Sequence, residues 1–163
     1  LWLVTEQIDG YYYFFYEGNS TVGGIWSVKI ARSTTLEGDY SFYQNVTGVG
    51  TGGAVGGICV IYYANKFRMW YHYAPTPSNL PTYLGYAESP KATPGTFTVI
   101  NQPFLALENS PIGAGTDQNG DFALLEINGS IWAGYQYAIN APILNGVFCY
   151  KKLNGLTYNT LFD

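Results

Sequence analysis

The side chains that could carry metal or nucleophilic chemistry are few and widely spaced. His72 is the only histidine, so a two-histidine metal site is impossible, and any Ser-His-Asp or Cys-His arrangement would need this residue. Cys59 and Cys149 lie far apart in sequence without the short spacing of zinc ligands. A disulfide would require the fold to bring their strands together, and we expect two buried thiols instead. The sequence therefore predicts no metal centre and no cofactor.

Residues 117–121 are the remaining segment whose spacing of side chains is similar to that of a metal-binding loop. Oxygen-bearing side chains occur there at the alternate positions 117, 119 and 121, as they do in calcium-binding loops. The later glycine and the closing glutamate of such loops are absent. Because the segment is rich in turn-forming residues, we expect a turn that contains Asp121.

Aromatic, basic and imidazole side chains are the candidates for binding a ligand, and they are Trp26, Arg68, Trp70, His72 and Trp132. The indole rings could offer flat faces to the rings of a ligand, or they could pack between sheets. Arg68, like Arg32, could bind hydroxyl groups, stack against tyrosine, or pair with an acid such as Glu17. The histidine lies between two tyrosines and could equally be a hydrogen-bonded structural residue.

An internal repeat supplies the elements that would position these residues. Three segments, 9–16, 64–71 and 128–135, each combine a turn with an aromatic strand that ends in tyrosine. A second landmark follows each of them, at 28–33, 84–89 and 147–152. The spacings of the two landmarks agree to within one residue, which favours a true repeat. We therefore divide the single domain 1–163 into the units 1–49, 50–107 and 108–163.

Each unit reads as a meander of four short strands. In the middle unit the turn signals delimit strands over 58–63, 67–73, 82–87 and 96–100. Aromatic residues occupy both parities of residues 11–16, so both faces of such a sheet must be covered. The predicted fold is all-β, a β-propeller of four-stranded antiparallel blades. A β-sandwich is the second choice, because its sheets more often have one polar face.

Three blades are fewer than the four to eight that usually close a propeller. The chain is therefore either a fragment of a longer protein or completed by oligomerisation, as a homo-oligomer. A compact three-unit β structure is the alternative. The glycine-rich residues 48–57 and the connection 108–121 are the expected blade junctions.

The amino-acid composition argues against two classes of binding partner. Aromatic residues make up 18% of the chain and charged residues only 11%, with a net charge of −4 and a pI near 4.8. This balance opposes binding to nucleic acid or to an anionic membrane. The longest apolar run, 58–64, is far shorter than the roughly 20 residues of a membrane helix. Three Asn-X-Ser/Thr patterns, beginning at residues 19, 45 and 128, lead us to expect an extracellular or secreted protein.

The repeat resembles a known group of proteins. Residues 9–18, DGYYYFFYEG, followed by IARS at 30–33, resemble the blade repeat of the five-bladed propellers of furanosidase-type glycoside hydrolases. These are the arabinanases, xylosidases, fructosidases and related phosphorylases. Residues 67–71, FRMWY, with GYAESP at 85–90 form a second copy. The likeness covers nearly all of the chain and marks a structural blade, which non-catalytic propellers share.

The resemblance implies that catalysis would depend on carboxylates of the innermost strands, one as general acid and one as base or nucleophile. Asp121 fits the family's inner-strand aspartate, with Phe122 in place of the usual proline. The equivalent positions in the other units are Gly57 and Trp2, which cannot transfer a proton. Glu6 is the only acid on a predicted inner strand of the first two units. The implied catalytic residues are therefore Asp121, as base or nucleophile, and Glu6, as acid.

Two functions follow. The first is a carbohydrate-active propeller that binds an oligosaccharide or polysaccharide, or hydrolyses it as a glycoside hydrolase. The second is a non-catalytic structural or recognition propeller, such as a surface, virion-fibre or lectin-like module. The two inner strands without an aspartate favour the second.

Overall fold

The computed structural model describes the chain as β-strands joined by turns. The described residues are 1–19, 24–50, 53–73, 83–100, 116–139 and 145–153, of which 83, 116–121, 135–139 and 145–153 are described by their backbone only. These residues contain no helix, and so none long and apolar enough to cross a membrane. The all-β prediction is confirmed.

The first sheet is an antiparallel meander in chain order, with strands β1 (Trp2–Ile8), β2 (Tyr11–Gly18), β3 (Ser27–Ser33) and β4 (Ser41–Asn45). Asp9 and Gly10 join its first two strands, and both have positive φ, 50° and 83°. Two central residues at positive φ define the type I′ turn, whose twist matches that of the flanking strands. The Asp-Gly pair therefore fixes the register of the first hairpin.

The second sheet repeats this meander with strands β5 (Val55–Tyr63), β6 (Lys66–Tyr73), β7 (Tyr83–Pro90) and β8 (Thr98–Val99). Each strand lies within about three residues of its predicted position, at the boundary precision expected of sequence patterns. The first hairpin again turns through two residues at positive φ, Ala64 at 51° and Asn65 at 60°.

The third sheet has the order β11-β10-β9, with strands β9 (Thr116–Ile127), β10 (Ser130–Ile139) and β11 (Asn145–Leu153). Asn128 and Gly129 form its hairpin turn, at φ of 50° and 71°. Three four-stranded blades were predicted. The fourth strand of this unit is not among the described residues, which end at residue 153.

The three sheets pack face to face, with the second sheet between the other two. The core between the first and second sheets includes Val4, Tyr13, Phe15, Ile30, Val60, Phe67 and Met69. The core between the second and third sheets includes Cys59, Trp70, Tyr86, Phe122, Leu124 and Ile131. The first strands of successive sheets also contact one another, β1 with β5 and β5 with β9. This is the blade arrangement of a partial β-propeller, as predicted.

The two-sided aromatic pattern has its explanation in strand β6. Phe67, Met69 and Tyr71 face the first sheet, whereas Trp70 between them faces the third sheet. Successive side chains of a strand point to opposite faces, so a strand between two blades must be apolar on both parities. The apolar residues at both parities of this strand therefore predict that the middle sheet is buried on both faces.

The first two blades are also joined by backbone hydrogen bonds through the connection after β4. The Thr47 amide donates to the Gly95 carbonyl at 2.9 Å, and the Phe97 amide donates to the Thr47 carbonyl at 3.0 Å. Gly48, at φ 86°, lies directly against Phe97, and a Cβ there would come within 1.8 Å of the Phe97 oxygen. The chain crosses between blades at this point because a glycine allows the close approach.

Candidate functional site

The innermost strands of the second and third blades carry a bulge at equivalent positions. In β5, Gly57 and Ile58 lie opposite the single residue Tyr71. In β9, Asp121 and Phe122 lie opposite the single residue Tyr135. Gly57 has the positive φ, 54°, that a bulge often requires. Bulges of this kind redirect a side chain and are common beside active sites. Sequence analysis did not detect them.

Asp121 lies within the second of these bulges. Its side chain is outside the described part of the structure, so its assignment as base or nucleophile stays a prediction. The turn expected over residues 117–121 is wrong, because these residues belong to strand β9. Pairing with β10 continues through Asn119 and Gln118 to Thr116 and overrides the local turn preference.

Glu6 does not occupy the position of its inner strand that is equivalent to Asp121. It is exposed on β1, within the irregularity between Val4 and Ile8. Burial raises the pKa of Tyr62 on β5; Lys91 opposes this effect, whereas the charge of Glu6 adds to it. The repeat places Glu6 four residues further towards the hairpin turn than the position equivalent to Asp121, about 13 Å along a strand. The proposed pairing of these two acids stays a prediction.

Arg68 is an interior residue, only 4% exposed. Its guanidinium donates hydrogen bonds to Glu88 Oε1 at 2.5 Å and to the Tyr86 hydroxyl at 3.0 Å. The same carboxylate accepts bonds from the Tyr86 hydroxyl at 2.8 Å and from Lys66 Nζ at 2.6 Å. Burial alone would raise the pKa of Glu88, but these hydrogen bonds and the two positive charges lower it. The hydrogen bonds described for Arg68 are therefore made to other residues of the same blade.

The tryptophan candidates lie in three different environments. Trp70 is 1% exposed, and its ring stacks on Phe122 with the centroids 5.2 Å apart. Trp132 is half-buried on β10. Trp26 is 50% exposed, and its carbonyl accepts a hydrogen bond from the Val55 amide at 3.0 Å. Trp26 is therefore the tryptophan whose surroundings best suit a sugar ring, at the point where β5 begins.

The end of the blades at which β5 begins also brings two polar side chains together. His72, half-buried on β6, is the register partner of Gly56. A Cβ built on Gly56 would lie 2.8 Å from His72 Nε2 and 2.9 Å from Glu17 Oε2. The imidazole and the carboxylate therefore converge on one glycine, next to the bulge of the inner strand. We call Glu17, Gly56 and His72 the rim site.

The sequence indicated Glu17 only as a possible acid partner of Arg32 or Arg68, and the structure gives Arg32 another environment. The guanidinium lies over the rings of Tyr11 and Tyr43, at 4.1 and 4.0 Å from their centroids. This confirms the alternative of stacking against tyrosine. Glu17 is half-buried on β2.

Cys59 is a buried free thiol, as expected. The Leu124 amide donates a hydrogen bond to its sulfur at 3.4 Å, and burial raises its pKa to about 12. A thiol with so high a pKa is a packing residue rather than a nucleophile. The Cys149 side chain lies outside the described residues. No group of three metal-ligating side chains occurs among the residues that the structure describes.

The fold is that of known sugar-hydrolysing propellers. A thermostable family-43 glycoside hydrolase superposes with a TM-score of 0.60 at 16% identity, over 92% of this chain and 52% of its own. A Bombyx mori family-32 β-fructofuranosidase variant in complex with sucrose superposes with a TM-score of 0.55 at 12% identity, over 90% of this chain and 34% of its own. A family-117 glycoside hydrolase produced by the marine bacterium Zobellia galactanivorans superposes with a TM-score of 0.54 at 16% identity, over 90% of this chain and 49% of its own.

These solved structures are five-bladed propellers of the furanosidase type, which confirms the resemblance of the blade repeat. The chain spans about half the length of the family-43 enzyme and about a third of the fructofuranosidase. No protein-family model and no curated protein matches the sequence.

Proposed function

We propose that this chain is part of a carbohydrate-active propeller that binds an oligosaccharide or polysaccharide at the blade end where β5 and β9 begin. The observation that carries the proposal is the pair of equivalent bulges on the two inner strands. The bulge of β5 lies beside the half-exposed Trp26 and the rim site, which together offer a flat apolar face and hydrogen-bonding groups. Sugar sites commonly combine these two features, and a neighbour of the same fold is in complex with sucrose.

Calorimetric titration of the full 163-residue chain with arabino-, xylo- and fructo-oligosaccharides and sucrose tests this proposal. We expect saturable binding of at least one of them, weakened at least about tenfold by Trp26→Ala, because a stacking aromatic residue is lost. Absence of heat with every sugar would contradict the proposal.

Hydrolysis is the finer form of the same proposal. Asp121 would act as base or nucleophile and Glu6 as acid on a glycosidic bond. Reducing-sugar release from arabinan, xylan and fructan measures it, and Asp121→Asn should abolish the release. Binding without release would instead favour a non-catalytic recognition propeller. The half-buried Trp2 and the glycine at position 57, which occupy the places equivalent to Asp121, favour that outcome.

Assembly and location belong to the proposal as well. Phe42 on the first sheet and Leu125 and Ile127 on the third are exposed apolar side chains. We propose that further blades or a second copy of the chain cover them, as neighbouring blades cover the second sheet. Secretion is proposed from the Asn-X-Ser/Thr patterns, of which Asn45 and Asn128 are exposed.

A further inference from the structure

The outer face of the first sheet carries an apolar row that crosses all four strands. Leu3 pairs with Phe14, Phe14 with Ala31, and Ala31 with Phe42, so these side chains lie side by side on one face. Phe42 is 61% exposed there, and Leu3 and Phe14 are only half-buried. A continuous apolar face of this kind indicates an interaction surface.

The repeat shows what the equivalent faces of the other sheets contact. Alignment of residues 9–16 with 64–71 and 128–135 makes Phe14 equivalent to Met69 and Ala133. Met69 is buried in the core shared with the first sheet, and Ala133 in the core shared with the second sheet. Both blades therefore use this face to contact the blade that precedes them. The exposed face of the first sheet is the contact face for a preceding blade.

The outer face of the third sheet is the complementary one. Leu125 and Ile127 are each 50% exposed, and Trp132, the register partner of Leu125, lies on the same face. The equivalent of Leu125 in the second sheet is Ile61, which packs against the core shared with the third sheet. This is the face that contacts the following blade. The two ends of the chain thus present the two halves of a contact that its blades already make with one another.

We infer that two copies of the chain join head to tail, the third sheet of each against the first sheet of the other, and close a six-bladed ring. A contact between two different faces either closes into a ring or grows as an open filament. One copy supplies three blades, two supply six and three supply nine, and only six lies within the usual four to eight. One partner copy also covers both apolar faces at once. The arrangement rests on the assembly proposed above and deepens it, and it does not require that a sugar binds.

Ring closure would also surround the proposed sugar site with strands of both copies. Within one chain β5 lies between β1 and β9, which it contacts on its two sides. In the ring, β9 of one copy lies beside β1 of its partner. Asp121 on β9 and the partner's Glu6 on β1 then belong to neighbouring inner strands. The mouth of the channel is therefore bordered by the inner strands of both copies.

Light scattering of the 163-residue chain tests the stoichiometry. We expect the mass to approach twice 18.0 kDa with rising concentration and then to stay constant, because a closed ring leaves no contact face free. A mass that grows beyond this value would indicate an open filament. A monomer at every concentration would assign the two faces to further blades of a longer protein. Either result overturns the ring.

A mixture of two variants tests the head-to-tail contact. Phe42→Lys places a charge on the first-sheet face and Leu125→Glu on the third-sheet face, so each variant alone should be largely monomeric. An equimolar mixture should recover the dimer, because one contact joins two original faces and the other joins opposite charges. Ser41→Lys is the matched control, since Ser41 is exposed on the same strand but pairs with Arg32 on the opposite face. It should dimerise as the original chain does.

Energy transfer between two fluorescent labels, one on each variant, measures the recovery. Absence of transfer in the mixture would overturn the head-to-tail contact. If Leu125→Glu alone dimerises as well as the original chain, the contact joins two first sheets and the ring is wrong.

The ring and the sugar site fail in different ways. A dimer that shows no heat with any sugar keeps the ring and rejects the proposed sugar site. A monomer that binds a sugar rejects the ring and keeps the proposed sugar site.

Discussion

At the scale of single residues, the best-defined polar feature of the described fold is the ion pair between the buried Arg68 and the half-buried Glu88. The carboxylate accepts bonds from Arg68, Lys66 and the Tyr86 hydroxyl, and the guanidinium is almost fully enclosed. Buried ion pairs add little net stability when complete, but removal of one partner leaves the other charge poorly compensated. Arg68 therefore pairs with an acid, one of the three roles that the sequence allowed, and we expect this pair to stabilise the fold.

Arg68→Met should lower the free energy of unfolding by about 1–2 kcal/mol, because Glu88 loses its closest partner but keeps Lys66 and the Tyr86 hydroxyl. The double variant Arg68→Met with Glu88→Gln should recover part of this loss, since the carboxylate that lost its partner is then removed as well. Urea denaturation monitored by tryptophan fluorescence measures both. Equal stability of Arg68→Met and the original chain would show that the pair has no such role.

The lowered pKa of Glu88 predicts a dependence of stability on acid. The pKa of Glu88 in the folded chain is below its ordinary value of 4.5. At a pH near or below 4.5 the unfolded chain therefore binds more protons at this residue than the folded chain does. The stabilisation is complete above about pH 4.5 and is lost as the pH falls through the lowered folded pKa. Glu88→Gln should reduce the loss of stability between pH 5 and about pH 3. The exposed Glu37→Gln variant, as the matched control, should retain it.

At the scale of strands and sheets, local sequence signals were sufficient where the contacts are local. The Asp-Gly and Asn-Gly pairs and the aromatic runs specify the hairpins, since turn chemistry and strand propensity act within a few residues. The bulges of β5 and β9 were missed, and of the rim site only His72 was among the predicted candidates. They depend on pairing between strands and on Glu17 reaching a different blade, which no local pattern encodes. The repeat equivalence of Glu17 and His72 was the available signal.

Two tryptophans distinguish packing between blades from binding at their edge. Trp70→Ala removes a ring enclosed between the second and third sheets and should cost about 3–5 kcal/mol of unfolding free energy. Trp26→Ala, at a half-exposed position, should cost less than about 0.5 kcal/mol. Chemical denaturation of both variants measures this contrast. Similar losses in the two would contradict the assignment of the inter-blade core.

At the scale of the whole molecule, the described residues form a middle blade that packs against a neighbour on both faces, and two outer blades that each expose apolar side chains. Phe42 is 61% exposed on the first sheet, and Leu125 and Ile127 are each 50% exposed on the third. Large apolar side chains grouped on a sheet face indicate an interaction surface. The solved propellers of this fold are two to three times longer than the part that this chain matches.

The isolated chain should associate through these faces. Light scattering is expected to give a mass above 18.0 kDa that rises with concentration. Replacing Leu125 and Ile127 together by lysine should shift the population to the monomer, because charged groups resist burial at an interface. A monomer at every concentration, with or without the lysines, would contradict association through the third sheet.

Amide chemical-shift mapping of the full chain with the tightest-binding oligosaccharide tests the location of the proposed sugar site most directly. We expect the perturbed amides to cluster at the rim, at Gly18, Gly56, His72 and their neighbours, and the hairpin turns at 9–10 and 64–65 to stay unperturbed. Perturbations confined to the hairpin-turn end of the blades, or to an outer sheet face, would contradict a site where the inner strands begin.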